Sequence, residues 1–240
     1  MRLIDHSFDR PQENILFDDV LLHLSETKKM GEVLRFWESS IPFIVLGRIS
    51  KAQEDLNYQT IRDDGIAVLR RSSGGGTVVQ GPGCLNYSLI LSKTANPVVA
   101  DIRKSYQFIL GRTVESLQKL GVKASFFPIS DIALTDGQKK FSGNAQRRGK
   151  EFILHHGTIL YDFDLKLIPR YLNMPKDIPE YRQARSHESF VVNISRDASE
   201  IKRTLSETWG VASPQPSLTE EQKTTLQKYL ETKHIPVEIN

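Results

Sequence analysis

Apolar residues recur along this chain with two periods, and the switches between them lay out its elements. From Asn14 to Lys28 the spacing is helical: Phe17, Val20, Leu21 and Leu24 fall on one face, with acidic residues near the start. Val33–Trp37 and Phe43–Leu46 are apolar runs of strand length, separated by Ser39-Ser40-Ile41-Pro42. Ile66–Arg71 reads as a strand that delivers the chain into a glycine-rich turn, and Leu85–Leu91 as another strand. The longest helical stripe spans Ile102–Leu120, through Tyr106, Ile109, Leu110, Val114 and Leu117. Gly121 stands where a C-terminal cap belongs.

The pattern then returns to strands. Asp136-Gly137 is a strong hairpin signal between Ile132–Leu134 and Lys140–Gln146. Arg148-Gly149-Lys150 suggests a second turn, leading into a strand over Phe152–Tyr161, and Leu165–Leu172 reads as a short helix. Asn173 to Ser186 holds Pro175, Pro179 and few apolar residues, and is expected as an ordered surface loop or a mobile cover. Ser199–Trp209 and Thr219–Tyr229 read as terminal helices. Strands and helices do not alternate regularly. The expected class is therefore α+β, with helices flanking mixed or antiparallel sheets, rather than a doubly wound fold.

Composition narrows the partners. The 240 residues suit one large domain, or one with a small appendage. Hydrophobic residues are 39% and charged residues 25%, which is enough for a real core. A net charge of +3 gives no support to a nucleic-acid partner. The one cysteine, Cys84, leaves no internal disulfide and disfavours a cysteine-based zinc site. No apolar run approaches the roughly 18–20 residues that span a bilayer. The polar start, with Asp5, His6, Asp9 and Arg10, does not read as a signal peptide, so a cytoplasmic location without a membrane partner is expected.

Candidate chemistry concentrates in two segments. In Arg70-Arg71-Ser72-Ser73-Gly74-Gly75-Gly76-Thr77-Val78-Val79, three glycines either form a plain turn between strands or expose backbone N–H groups as an anion nest. The preceding arginines could add charge-assisted hydrogen bonds. No Gly-Lys-Ser/Thr follows, so this is not a Walker loop. In Lys139-Lys140-Phe141-Ser142-Gly143-Asn144-Ala145, Lys140 is either a solvated edge residue or a cationic anchor for developing negative charge. His155 and His156 are neighbours in a strand and face opposite sides, so at most one faces a site. Asp131 is either a turn acid or a single carboxylate helping to hold magnesium on phosphates. Cys84 is either a small buried apolar residue or an acyl-thioester nucleophile.

These two segments together resemble the lipoate–protein ligase A family, within the biotin/lipoate ligase and octanoyltransferase superfamily. Further matching stretches are Leu34-Arg35-Phe36-Trp37, Val45-Leu46-Gly47-Arg48, His155-His156-Gly157-Thr158-Ile159-Leu160 and Tyr181-Arg182-x-x-Arg185-x-His187. The resemblance implies activation of lipoate, or octanoate, by ATP to an acyl-adenylate. A lysine of a carrier protein then takes the acyl group. The implied carriers are lipoyl domains of 2-oxoacid dehydrogenases and the glycine-cleavage H protein. Carried over by position, Lys140 is the catalytic lysine. Arg71, Gly75, Gly76, Thr77, Val78, Val79, Asp131 and Lys140 bind ATP or the adenylate, with Asp131 a possible ligand of Mg2+. Arg70, Gly75, Lys140, Ser142, Gly143, Asn144, His156 and Gly157 bind lipoate. Trp37, Leu46 and Val78 are expected to wall the apolar slot.

The chain departs from the family pattern in three places. Ser130-Asp131 replaces Asn-Asp, Gln80 stands where histidine is usual, and only a short segment follows the catalytic region. The expected division is a catalytic domain over 1–195 and a helical extension over 196–240, with a separate accessory protein as a candidate partner. Two other functions compete. An ATP-independent octanoyl or lipoyl transferase needs a cysteine nucleophile, and Tyr171-Leu172-Asn173-Met174-Pro175, where transferases carry theirs, has none. A non-catalytic lipoate-binding module would not need Lys140.

Overall fold

The computed structural model describes every residue except Gln138, Lys176, Asp177, Ala212 and Asn240. Gln138 belongs to the expected hairpin, and Lys176 and Asp177 to the expected cover, so those positions lie outside the described residues. In chain order the elements are β1 (Arg2–Asp5), α1 (Pro11–Glu26), β2 (Val33–Trp37), β3 (Phe43–Leu46), α2 (Ala52–Asp55), α3 (Tyr58–Asp63), β4 (Val68–Arg70), β5 (Val78–Gln80) and β6 (Cys84–Ser92). They continue with α4 (Ile102–Lys119), β7 (Ala124–Phe127), β8 (Asp131–Leu134), β9 (Lys140–Arg148), β10 (Phe152–Leu160), α5 (Leu167–Tyr171), α6 (His187–Phe190), α7 (Ala198–Thr208) and α8 (Glu220–Thr232).

Seven strands form one sheet in the order β1-β2-β6-β10-β9-β8-β7, and three form a second in the order β4-β3-β5. The first is antiparallel except for β1, which runs parallel to β2. In the second, β3 is parallel to β4 and antiparallel to β5. The fold is α+β with mixed sheets flanked by helices.

Strand alternation divides the interior. Ile153, His155 and Ile159 of β10 face one side of the large sheet, where Ile109, Leu110 and Leu117 of α4 and Ile201 and Leu205 of α7 complete a core. Leu154, His156 and Leu160 face the other side, against α1 and the small sheet. The space between the two sheets therefore has β10, β9 and β6 as one wall and β3, β5 and the glycine turn as the other.

The described residues of 196–240 are continuous with these cores. Trp209 joins the α4 cluster, with the Arg112 guanidinium 4.5 Å from its ring centroid. Leu226 of α8 packs with Phe17, Val20 and Leu21 of α1. The tail then pairs with β4: Arg70 N donates to Ile235 O at 2.7 Å and Val237 N to Val68 O at 2.8 Å. The last strand before the glycine turn is thus held on both edges.

Candidate active site

β4 ends at Arg70, and alternation sends this arginine and the following Arg71 opposite ways. Arg71 turns inward and is buried. Its Nη2 donates to Gly74 O at 2.6 Å and Gly76 O at 2.7 Å, and its Nε to Ser73 Oγ at 3.1 Å, so the guanidinium is the hub around which the glycine turn winds. Burial lowers the pKa of Arg71 to about 10, and it makes no ion pair among the described residues. Arg70, expected on lipoate, is placed elsewhere. Its Nη1 donates to Gly47 O at 2.8 Å and Ser50 O at 2.9 Å, clasping the loop after β3, and it lines neither cavity described below.

Gly75 has φ +80°, and a Cβ on Gly47 would stand 2.0 Å from Gly75 O, so backbone meets backbone at that point. Gly76 differs. A Cβ there would meet nothing within 4 Å, because it faces open cavity. Thr77 Oγ1 is fixed by a short hydrogen bond to Asp55 of α2.

Two adjoining cavities lie between the sheets, of about 190 and 300 Å³. Gly76, Thr77, Val78, Asp131, Lys140, Gly143 and Thr158 line both. The first has apolar walls from Ile15, Trp37, Val45, Val78 and Ala145, and its polar lining includes Arg71, His156, Asn144, Gln80, Asn86 and Ser88. Of the expected wall residues, Trp37 and Val78 are there. Leu46 is not, because it lies on the opposite side of β3 in a cluster with Leu56 and Ile61, and Val45 takes its place. The second cavity is lined by Val79, Ser142, Leu160, Ile168 and Phe190, and by Asp55, Arg182 and His187.

Lys140 opens β9 at the junction. Its Nζ is 2.7 Å from Asp131 Oδ1, and Asp131 Oδ2 accepts a 2.6 Å hydrogen bond from Tyr181 Oη. A Cβ on Gly143 would sit 3.2 Å from Lys140 Nζ, so the glycine leaves room for the ammonium. Asn144 is tied into the floor: Tyr87 Oη donates to its Oδ1 at 2.5 Å, and its Nδ2 donates to Ser130 O at 2.9 Å. Gly157 lies against that same side chain.

Of the two histidines, His156 faces the first cavity and His155 the α4 core. Burial, and secondarily the neighbouring His156, pushes the pKa of His155 down to about 3, which keeps it neutral. His156 Nε2 is 2.6 Å from Ser73 Oγ, and its Nδ1 is 3.4 Å from Asp18 Oδ2. Burial opposes the charge on Asp18, but Arg35, whose Nη1 is 2.7 Å from Asp18 Oδ1, and His156 outweigh it, leaving the carboxyl below its usual range.

Asp18 and Asp19 are not among the expected site residues, and Arg35, Tyr181 and Arg182 stand only within matching stretches, without a role. Asp18 and Asp19 sit within a helix whose apolar stripe drew attention away from them, and Arg35 belongs to a strand whose five residues are all buried. The usable signal was there: a charge inside a fully apolar strand needs a partner. The stretch 178–192 supplies Tyr181 to Asp131 and lays Arg182, 4.7 Å from the Phe190 ring centroid, over the second cavity. Arg182 makes no ion pair among the described residues, and burial lowers its pKa.

Cys84 is buried at the start of β6, lines neither cavity, and has its thiol pushed up by burial. Among the described residues no group of three or more His, Cys, Asp or Glu side chains could hold a metal ion. Asp131, the expected magnesium ligand, has both oxygens engaged as described above. No helix among those residues is long and apolar enough to cross a membrane.

With this geometry in hand, similarity to known proteins is informative. Residues 10–207 match the profile of the lipoyl protein ligase A/B catalytic domain. A probable lipoate-protein ligase A of Mycoplasma pneumoniae is 32% identical over 173 residues, covering 71% of this chain and 49% of that protein. An octanoyltransferase of Brevibacillus brevis is 25% identical over 210 residues, covering 79% of this chain and 76% of that one. The chain thus spans about half the length of the ligase relatives it matches. Among solved structures, a bi-partite lipoate protein ligase from Thermoplasma acidophilum, described with its E2 lipoyl domain, has the same fold. Its TM-score is 0.81 at 24% identity, covering 97% of this chain and 92% of that one.

Proposed function

Because this chain belongs to the lipoyl protein ligase A/B catalytic-domain family, we propose that it is an ATP-dependent lipoate–protein ligase. It activates lipoate or octanoate to the acyl-adenylate and passes the acyl group to a lysine of a lipoyl-domain carrier. One observation carries this reading: an apolar cavity and a cation-lined cavity meet at Lys140, with the glycine turn along both.

In the first step a carboxylate oxygen attacks the α-phosphorus of ATP, a P–O bond forms, and pyrophosphate leaves. Two anions must be brought together, so the junction has to supply positive charge and N–H donors. Lys140 supplies the first and the Gly75–Val79 backbone the second. Arg71 and Arg182 fit an anionic ligand because each is buried without an ion pair among the described residues. The apolar walls at Ile15, Trp37, Val45 and Val78 suit the acyl tail, and the second cavity suits the nucleotide. Magnesium would arrive on the ATP phosphates and take few protein ligands, with Asp131 as the acid nearest the junction. In the second step the carrier lysine attacks the acyl carbon, AMP leaves, and the amine loses its proton. Lipoyl domains of 2-oxoacid dehydrogenases and the glycine-cleavage H protein are the proposed carriers. A separate accessory protein is a proposed partner, and the cytoplasm the proposed location.

An ATP-independent transferase is less well supported, because its thiolate nucleophile has no candidate. Cys84 is the one cysteine in the sequence, and it is sealed in an apolar cluster. The test is lipoate-dependent ATP–pyrophosphate exchange together with acylation of a lipoyl domain. Lys140→Ala should lower kcat by about 10²–10³-fold, the range for losing one preorganised transition-state donor. Cys84→Ala should retain turnover. ATP-independent acylation from an octanoyl-carrier donor at full rate would sink the ligase reading.

A further inference from the structure

A line of polar side chains runs from a buried ion pair in α1 and β2 to the cation of the first cavity. Asp18 Oδ1 takes a 2.7 Å bond from Arg35 Nη1, and its Oδ2 takes a 2.7 Å bond from Ser88 Oγ while facing His156 Nδ1. Beyond His156 stand Ser73 Oγ at 2.6 Å and then Arg71 Nε, 3.1 Å further on. Asp18 itself lines neither cavity. Proton inventory orients the line. With the ring neutral, the carboxylate, which can only accept, faces the Nδ1 that carries the ring proton, and Nε2 is the acceptor. Ser73, already accepting from Arg71, gives its hydroxyl proton to that nitrogen.

We propose that Asp18 and His156 are positioning residues for the acyl cavity: through Ser73 they fix Arg71, and with it the glycine turn. The inference rests on the proposed ligase reading for the identity of the acyl ligand. The same residue types make hydrolytic triads, but Ser73 is 1% exposed and lines neither cavity, so its hydroxyl is not presented to a substrate. Its position suits a different task. Apart from Ser73, the acceptors of the Arg71 guanidinium are the carbonyls of Val45, Gly74 and Gly76. The hydroxyl is therefore the link by which α1 and β10 set the orientation of that cation.

The experiment measures lipoate and octanoate binding by calorimetry, KM for acid and for ATP, and melting temperature, in wild type, Ser73→Ala and Asp18→Asn. Ser73→Ala should weaken binding of both acids about tenfold or more, the effect of losing a hydrogen bond to a charged group. Its KM for ATP should stay within about twofold and its melting temperature near wild type, as suits a small local deletion. Asp18→Asn leaves Arg35 uncompensated and endangers folding, so a second measurement accompanies it. The 15N shifts of His156 in the wild-type protein should report the Nδ1–H tautomer. Wild-type acid affinity in Ser73→Ala, or an Nε2–H tautomer, would overturn the proposal. Loss of pyrophosphate exchange with acid binding intact would count against the ligase reading alone.

Discussion

Gly157→Ala is the sharpest single perturbation of the site floor. Gly157 lies in β10 opposite Tyr87 of β6 and Asn144 of β9. A Cβ there would stand 1.8 Å from Asn144 Oδ1, 2.7 Å from its Cγ and 2.9 Å from Tyr87 Cε1. No rotation of the alanine relieves this, because the clash is at Cβ itself, so Asn144 has to leave. Its departure breaks the Tyr87–Asn144 hydrogen bond and the one to Ser130 O. Tyr87 is fully buried, and an orphaned buried hydroxyl costs about 1–3 kcal/mol. Overpacking adds about 1–3 kcal/mol. A total near 3–4 kcal/mol lowers the melting temperature of a chain this size by about 10 °C. Thermal unfolding measures it, with Gly111→Ala as control. A Cβ on exposed, helical Gly111 meets nothing within 4 Å, and that change should stabilise by about 1 kcal/mol. Equal melting temperatures for Gly157→Ala and wild type would refute the reasoning, and the placement of Asn144 with it.

Two further outcomes test the site and the core. In Gly143→Ala, the new Cβ lies 3.2 Å from Lys140 Nζ and 3.3 Å from Cε. The flexible side chain gives way, so adenylation kcat should fall about tenfold, since small misplacements cost up to 10²-fold per ångström; unchanged kcat would detach Lys140 from the chemistry. His155 has a folded pKa of about 3 against 6.5, so the unfolded chain binds the extra proton between those values. The stability this neutral ring contributes is fully present above about pH 6.5 and is lost as pH falls toward 3, with a slope of at most about 1.4 kcal/mol per pH unit. Urea unfolding of His155→Gln should show a flatter acid arm than wild type, and an unchanged arm would exclude His155 as its source.

Segments with a clear period or a continuous apolar run were legible in the sequence, and short segments with neither were not. β2 and β3 stand where the apolar runs put them, and α4 ends one residue before the expected limit, with Gly121 at φ +75° beyond it. α1 starts at Pro11 instead of Asn14. Asn14 has the look of a cap, but its side chain faces backward, bonding Phe8 N at 3.0 Å and Phe8 O at 2.7 Å. β1 and β7 have four residues each and β5 three, too few for a period, and only their sheet partners define them. At the site, alternation places His155 and His156 on opposite faces, as the structure has them. The same rule applied to Arg70 and Arg71 separates the loop clasp from the cavity cation, and applied to β3 it exchanges Leu46 for Val45. What no local rule reaches is the line from Asp18 to Ser73. It joins residues 55 positions apart through a third element, and only the packed sheet brings them together.

The Lys140–Asp131 pair explains how the junction can be both preorganised and available. With side-chain exposures of 28% and 11%, the pair is neither bare nor sealed. Such a pair lies between the ~0–1 kcal/mol of an exposed ion pair and the ~3–5 kcal/mol cost of breaking a buried one. On the proposed ligase reading, this holds the ammonium in one place and still leaves it available to an incoming carboxylate and phosphate. Were the pair fully buried, breaking it would cost about 3–5 kcal/mol, and the binding of every substrate would be weakened by that amount. Tyr181 completes the logic from the other side. By donating to Asp131 Oδ2, it gives that carboxylate a second anchor besides Lys140. Because Tyr181 belongs to the segment that also places Arg182 over the second cavity, the acid paired with Lys140 and the cation over that cavity are set by one stretch of chain.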